Sequence, residues 1–546
     1  MKRWNGWGDE KNNFGFELTK TSQDYIENIL GKSSPLPEIT LDEAIAKVPE
    51  SRAPHHKLIN TDAEVRLRHC RGQSVPDWLA THSGDFGTFP DGVAFPETTI
   101  DVQELLQFAK QKNLVIIPYG GGTSVCGHIN PDEDERPIIT VALSKMNTLI
   151  HFDKESQIAT FGAGTLGPDV EKQLAQHGYT LGHFPQSWEL STVGGWVASR
   201  SSGQQSLRYG RIEKMFAGGT IETLQNTLEI PTFPASSAGP DIREMILGSE
   251  GRMGIITEVK LRVTKIAEQE DFYVAFFPNW QVGLHATREI VQSGVQLSMM
   301  RLSNEVETAS HLKLAGHDTA VKYLEKYLKL RGIAKNVASS NGNGKTMFTF
   351  GITGSKAQCK SALKITKQFI RQHKGVYIGT ALGKHWQHSR FRSPYLRQGF
   401  WDTGIVVDTM ETCLDWSAVP NAVKGMESDI ANALTTTPTL DNAVAEKIHV
   451  FTHLSHFYGQ GCSVYTTYLF RMDKDYDKTM ARWLKLKSAG AEAIVKHGGT
   501  ISHQHGVGKD HAPYLAAEKG ELGIKAITEL CQLFDPEQQM NPGKLV

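Results

Sequence analysis

A chain of 546 residues exceeds what one hydrophobic core supports, so at least two large packed units are expected. Hydrophobic residues at 39% and charged residues at 21% are the composition of a water-soluble globular protein, neither disordered nor fibrous. Lys plus Arg (58) balances Asp plus Glu (59), which excludes a global field for nucleic acid or an anionic bilayer and makes any anion recognition local.

Six scattered cysteines, Cys70, Cys126, Cys359, Cys413, Cys462 and Cys531, form no C-x-x-C pair, which argues against a disulfide framework or zinc ribbon and for a reducing compartment. The opening Met1-Lys2-Arg3-Trp4-Asn5-Gly6-Trp7-Gly8 has no apolar signal region, and no run of about 18 apolar residues occurs anywhere. The ending Asn541-Pro542-Gly543-Lys544-Leu545-Val546 is not the peroxisomal tripeptide. A cytoplasmic protein is expected, with peripheral membrane contact and a homodimer left open.

Residues 1–90 are polar, broken by Pro35, Pro37 and Pro54 and helical near 41–48, and read as an N-terminal arm. Over 91–266, a strand at 114–117, a helix at 168–176 and a strand at 254–263 alternate with glycine turns, an α+β pattern. A second α+β domain over 267–500 opens with a strand at 272–277 and carries helices at 319–330 and 357–373, with a turn at Asn341-Gly342-Asn343-Gly344. The closing segment, 501–546, holds Gly506 and Gly508 and a helix at 524–534.

The strand at 114–117 runs through Pro118 and Tyr119 into Gly120, Gly121 and Gly122, then Thr123 and Ser124. Glycines let the backbone take φ > 0 and bring successive N–H groups up to oxyanions, and the hydroxyls add donors. A tight turn is the plainer reading of the loop alone. No Gly-Lys-Ser/Thr follows and no G-x-G-x-x-G opens a helix, which disfavours ATP and NAD. Two further loops share the character. Gln186, Ser187, Ser191 and Thr192 precede Gly194-Gly195, and Ser249-Glu250-Gly251-Arg252-Met253-Gly254 runs into Ile255-Ile256. Three donor-rich loops on one domain suit a dinucleotide better than a single phosphate.

Near the C-terminus, Ser502-His503-Gln504-His505-Gly506-Val507-Gly508-Lys509 sets histidines too close to glycines for a helix. Such imidazoles can move protons near neutral pH, and together with His453 and His456 they leave metal coordination as a rival, although no acidic ligand stands beside either pair. Between them, 461–470 reads as a strand with Tyr465 and Thr467 on one face and Tyr468 on the other. A buried phenol can relay a proton, though a strand tyrosine is more often core.

The order 118–124, Ser191-Thr192-Val193-Gly194-Gly195-Trp196, Gly239-Pro240-Asp241-Ile242 and Gly248-Ser249-Glu250-Gly251, with the opening Arg3-Trp4-Asn5-Gly6-Trp7-Gly8, resembles the alkyldihydroxyacetonephosphate synthases. The likeness runs from residue 3 to the end, weakest across about 300–380. It implies an α+β fold of the two-domain vanillyl-alcohol oxidase type, an FAD-binding domain with a cap or substrate domain. FAD is implied at 118–124, 186–192, at Ser199, Arg200, Ser201 and Ser202, and at 250–256. Gln186 stands where the family carries aspartate. Gly122 takes the place of the histidine of covalent relatives, so the FAD is expected to be noncovalent. The resemblance further makes Tyr465 the catalytic tyrosine, Arg301 an activity-determining arginine and Arg397 a substrate-binding arginine. It places His503 and His505 in the family's Ser-His-His-His-Gly-Val-Gly-Lys motif, whose middle histidine is here Gln504. Glutamine cannot take up a proton. The implied activity exchanges the acyl chain of acyl-dihydroxyacetone phosphate for a fatty alcohol. The alternative, favoured by Gln504, is an FAD-dependent dehydrogenase or oxidase of a small 2-hydroxy acid or polyol phosphate. In either case the substrate is a small anion, and no resident metal is expected.

Overall fold

A computed structural model describes residues 2–10, 17–314, 318–333, 344–435, 437, 440 and 445–546. The turn expected at Asn341, Gly342 and Asn343 lies outside them. In the first unit, β-branched runs buried on both faces form a small, mostly parallel sheet. Its strands lie in the order Ile59–Asn60, Gly92–Ala94, Ile138–Ala142, Val115–Tyr119, and the last three are parallel. Helix Thr99–Lys112 makes the crossover to Val115–Tyr119. It starts at a capping box of Thr98 with Asp101 and stops at Asn113, which adopts the left-handed conformation. Beside this sheet an antiparallel one runs Leu149–Asp153, Ile158–Gly162, Ile255–Arg262, Phe216–Glu222, Thr227–Ile230.

The second unit is a seven-stranded antiparallel sheet in the order Val376–Gly379, Gln269–Phe277, Thr346–Gly354, Met299–Ser303, His449–Phe457, Gly461–Arg471, Ile405–Asp415. Its long strands alternate with period two. Leu454, Val464, Thr466, Tyr468 and Phe470 are buried, and helix Val419–Asn432 packs against their strands. The intervening residues Phe451, His453, Ser455, Tyr465, Thr467 and Leu469, with Val407 and Thr409, line a cavity. The shared face expected of Tyr465 and Thr467 is therefore the one turned toward the first unit.

Both chain ends return to this junction. Asn541 donates its backbone N–H to the Ile116 carbonyl (2.8 Å), and Ile116 donates to that of Gln539 (2.7 Å), so the closing segment extends the edge of the first sheet. Helix Ala512–Phe534 is longer than the expected 524–534 and is broken at Gly520. Near the other end, helix Lys20–Leu30 places Ile26 and Leu30 against Phe400, Ile405 and Leu469 of the second unit. The N-terminal arm is thus part of the packed molecule.

Candidate active site

The open face of the seven-stranded sheet, the glycine loops and the C-terminal segment enclose a cavity of about 910 Å³, at the upper end of the range for ligand pockets. All of 118–124 lines it. A Cβ on Gly121 would collide with the Leu190 carbonyl of the second loop, and Gly122 has φ +65 with Tyr119 and Lys2 where its Cβ would stand, so neither position accepts a side chain. Among the described residues, none accepts a backbone hydrogen bond from the N–H groups of Gly121, Gly122, Thr123 or Ser124. Unclaimed amides beside a cavity are what an oxyanion needs, so the loop fits the phosphates of FAD.

Of the other expected cofactor contacts, Gln186, Ser187, Ser191, Thr192, Ser199, Ser201, Ser202, Glu250, Gly251, Gly254 and Ile256 also line the cavity. Several have structural work besides. Thr192 caps helix Val193–Ser199, Ser191 accepts from the Trp196 indole (2.7 Å), and Gln186 donates its amide to the Arg390 carbonyl (2.7 Å). Arg200, Arg252, Met253 and Ile255 do not line it. Arg200 pairs with Glu244, Arg252 donates to the Met540 carbonyl (2.8 Å), and Met253 and Ile255 are core. The Glu250 carboxylate accepts from Val507 N–H (2.6 Å) and Gly508 N–H (2.7 Å). His128 bridges it to the glycine loop, 3.1 Å from Glu250 and 2.9 Å from the Ser124 hydroxyl. Despite burial, Cys126 and Glu250 raise the His128 pKa well above its usual value.

On the sheet, Tyr465 stacks on His453 (ring centroids 4.8 Å apart), meets His505 edge to face (5.7 Å) and donates to the Thr409 hydroxyl (3.2 Å). Burial pushes its phenol up to about 12, so it is neutral at any physiological pH. Arg301 reaches Glu307 (2.8 Å) and the His453 ring (3.1 Å). Burial would raise the Glu307 carboxyl, but Arg301 and His453 hold it well below the carboxylate range. Arg301 is thus a fixed cation beside the phenol.

His505 and Gln504 line the cavity, and the Gln504 side-chain oxygen has no partner. His503 sits behind the wall, buried, bonded to the Tyr458 hydroxyl (2.7 Å), and burial depresses its pKa. What organises this loop is Glu411, which pairs with Tyr465 across the strands and which reading the sequence did not single out. Its carboxylate accepts from the N–H groups of His503, Gln504 and His505 and from the Ser502 hydroxyl. The available signal was a carboxylate set among apolar and β-branched strand residues, a group that is buried only when its oxygens are satisfied.

Arg397, in helix Ser393–Trp401, lies over the Trp78 ring (4.5 Å) and donates one nitrogen to the Gln73 carbonyl. Its Nε and Nη2 are buried without a protein acceptor, and its side chain lines the cavity; a guanidinium with two such nitrogens is the kind of group that grips phosphate or carboxylate. Arg390, also lining the cavity, lies 4.6 Å from the Phe184 ring. The cavity also has apolar stretches, one with Ile26, Phe400, Val407, Phe451 and Leu469, the other with Val274, Met299, Leu312 and Met347. Among the described residues no group of three or more His, Cys, Asp or Glu is placed to hold a metal ion.

The chain is similar to known proteins over its whole length. Over its whole length the chain is 28% identical to an alkyldihydroxyacetonephosphate synthase from Trypanosoma brucei brucei, of which it covers 92%. A solved alkyldihydroxyacetonephosphate synthase superposes with TM-score 0.82 at 25% identity, covering 100% of this chain and 99% of that one. A p-cresol methylhydroxylase shares the fold at 12% identity, TM-score 0.67, over 94% of this chain and 98% of its own. The architecture is the α+β, two-domain vanillyl-alcohol oxidase type. The model described as FAD binding domain matches residues 90–225, and that described as FAD linked oxidases, C-terminal domain, matches 266–545, just over half the chain. With the loops at 118–124 and 186–195 in the first matched region and the Tyr465 sheet and histidine loop in the second, the chain belongs to the family of FAD-linked oxidases.

Proposed function

We propose that this chain binds FAD noncovalently and exchanges the acyl chain of an acyl-dihydroxyacetone phosphate for a fatty alcohol. The observation that carries the reading is one cavity lined by Arg397, with two guanidinium nitrogens that no protein group accepts from, by a neutral phenol, Tyr465, and by apolar walls. A small hydroxy acid has no use for those walls. Bound FAD would supply the ring at which such an exchange can proceed without net oxidation.

The residues of the chain have separable tasks. Arg397 holds the substrate phosphate through Nε and Nη2. Tyr465 keeps its proton until a developing alkoxide or carbanion claims it, with the fixed charge of Arg301 on the far side of His453. His505, whose pKa is lowered by burial, is neutral and accepts protons. His503 positions the loop from behind, and Gln504 offers hydrogen bonds alone. Gly122 leaves no imidazole on the phosphate loop for a covalent flavin link. A cytoplasmic setting rests on six free cysteines.

Purified protein given acyl-dihydroxyacetone phosphate and a fatty alcohol should release free fatty acid and form the alkyl product with no net flavin reduction. Absence of release would sink the proposal. Gln504 favours the second reading, hydride transfer from a 2-hydroxy acid or polyol phosphate, and anaerobic bleaching of the flavin by such a substrate alone would establish it.

A further inference from the structure

We propose that Lys2 is a positioning residue for the cofactor, clamping the phosphate loop from behind so that its amides face the cavity. The segment from Lys2 to Asp9 folds back on itself, with Lys2 bridged to Asp9 and Arg3 N–H donating to the Gly8 carbonyl (3.0 Å). Arg68 fastens it by donating to the Lys2 carbonyl (2.8 Å), and Trp7 is buried against Tyr395. This delivers the Lys2 ammonium to three acceptors, each at 3.0 Å: the carbonyls of Gly121 and Gly122 and the hydroxyl of Tyr119.

The consequence follows from peptide geometry. In a trans peptide the C=O of one residue and the N–H of the next point in opposite directions, and the described residues contain no cis bond. Turning the carbonyls of Gly121 and Gly122 onto Lys2 therefore turns the N–H groups of Gly122 and Thr123 away from it. These two are among the amides that no backbone acceptor claims, in a loop that lines the cavity, whereas Lys2 itself does not line it. Glycines rotate freely about their own bonds, so a loop of three has no intrinsic reason to hold this orientation. One ammonium with three donors supplies the reason, and its charge polarises the two peptide units toward an anion on their far side.

This inference rests on the FAD reading, and one experiment separates their failures. Full-length holoprotein is diluted and flavin release followed by the rise in its fluorescence, for the unaltered chain, Lys2→Met and Lys2→Arg, with melting of each flavin-free protein as control. Lys2→Met should hold FAD about tenfold more weakly, the size expected for lost charge-assisted hydrogen bonds, with flavin-free melting unchanged and Lys2→Arg recovering part of the loss. Equal retention by Lys2→Met and the unaltered chain would overturn the inference, as would loss of affinity that tracks a fall in flavin-free melting. An unaltered chain that takes up no FAD would instead overturn the reading beneath it.

Discussion

Glu411 accepts the backbone N–H of His503 through both carboxylate oxygens, at 3.0 and 2.9 Å. The same carboxylate serves Gln504, His505 and Ser502, so a single buried anion sets the conformation of the histidine loop. Glu411→Gln places an NH2 group where amides now donate and leaves buried donors unpaired. We expect a loss of about 3 kcal/mol in denaturant unfolding, with a fall in kcat as His505 loses its place beside Tyr465. Wild-type unfolding together with wild-type kcat would show that the loop holds itself.

Arg397→Met separates binding from folding. The guanidinium is enclosed with two nitrogens unpartnered, and burial lowers its pKa, so its charge contributes little to stability without a ligand. Methionine retains the packing on Trp78. Stability should stay within about 1 kcal/mol, while KM for the phosphate substrate rises at least about tenfold. An unchanged KM would remove Arg397 from the substrate site.

Much of this site was legible before the fold was known, for physical reasons that differ by element. The three glycines at 120–122 mark a turn after a buried strand, and period two puts Tyr465 and Thr467 on one face, but the catalytic role expected of Tyr465 came from the family resemblance and not from the strand pattern. Glu411, Glu307 and Lys2 were not legible. Each acts on residues distant in the chain, Glu307 on His453 and Lys2 on Gly121, and one carboxylate or ammonium in a sequence looks like any solvated surface charge. Arg200 and Arg252 illustrate the converse, since they sit in the cofactor loops while their side chains tie down Glu244 and the Met540 carbonyl.

Gln504→His tests whether the exchange lacks a proton carrier. Gln504 lines the cavity next to His505, and its side-chain oxygen is without a partner, so an imidazole there breaks no hydrogen bond of that oxygen. If proton transfer limits turnover, the variant should raise kcat several-fold and add a limb to its pH profile near neutral pH. A pH profile superimposable on that of the unaltered chain would mean the position only shapes the cavity.

Stability should fall on mild acidification. Burial holds His183 and His456 near 3 and His69, His82, His449 and His453 near 4, all below the ordinary 6.5. A histidine with a depressed folded pKa is protonated first in the unfolded chain. Its contribution is therefore intact above about 6.5 and is lost as pH drops toward the folded value, by about 1.4 kcal/mol per pH unit for each group. Glu427 and Asp510, which burial raises to about 7 and about 6, and His128, held well above its usual value, oppose this, since their folded forms gain protons first as pH falls. Six groups outweigh three. Denaturant midpoints at about pH 7.5 and about pH 5.5 should differ clearly in favour of the former, and equal midpoints would mean these rings are hydrated.

Helix Asp318–Leu330 is where we expect the protein to meet a membrane surface, should it do so. Tyr323 (72% exposed), Tyr327 (42%) and Leu330 (78%) fall at i, i+4 and i+7, and Lys322, Lys326 and Lys329 repeat the same spacing one residue earlier. Two parallel stripes, one aromatic and apolar, one basic, suit the headgroup region of an anionic bilayer, where each lysine is worth about 1 kcal/mol. The opposite face of the helix, with Val321, Leu324 and Leu328, packs on the cluster containing Val274, Leu312 and Met347, which line the cavity. A bilayer held there would lie over the helix that backs this apolar wall of the cavity. Full-length protein should co-sediment with vesicles carrying phosphatidylserine and less with neutral ones. Replacing Tyr323, Tyr327 and Leu330 by serine should abolish this with the melting temperature unchanged. Failure of the unaltered chain to sediment with either vesicle would leave the stripes as ordinary surface.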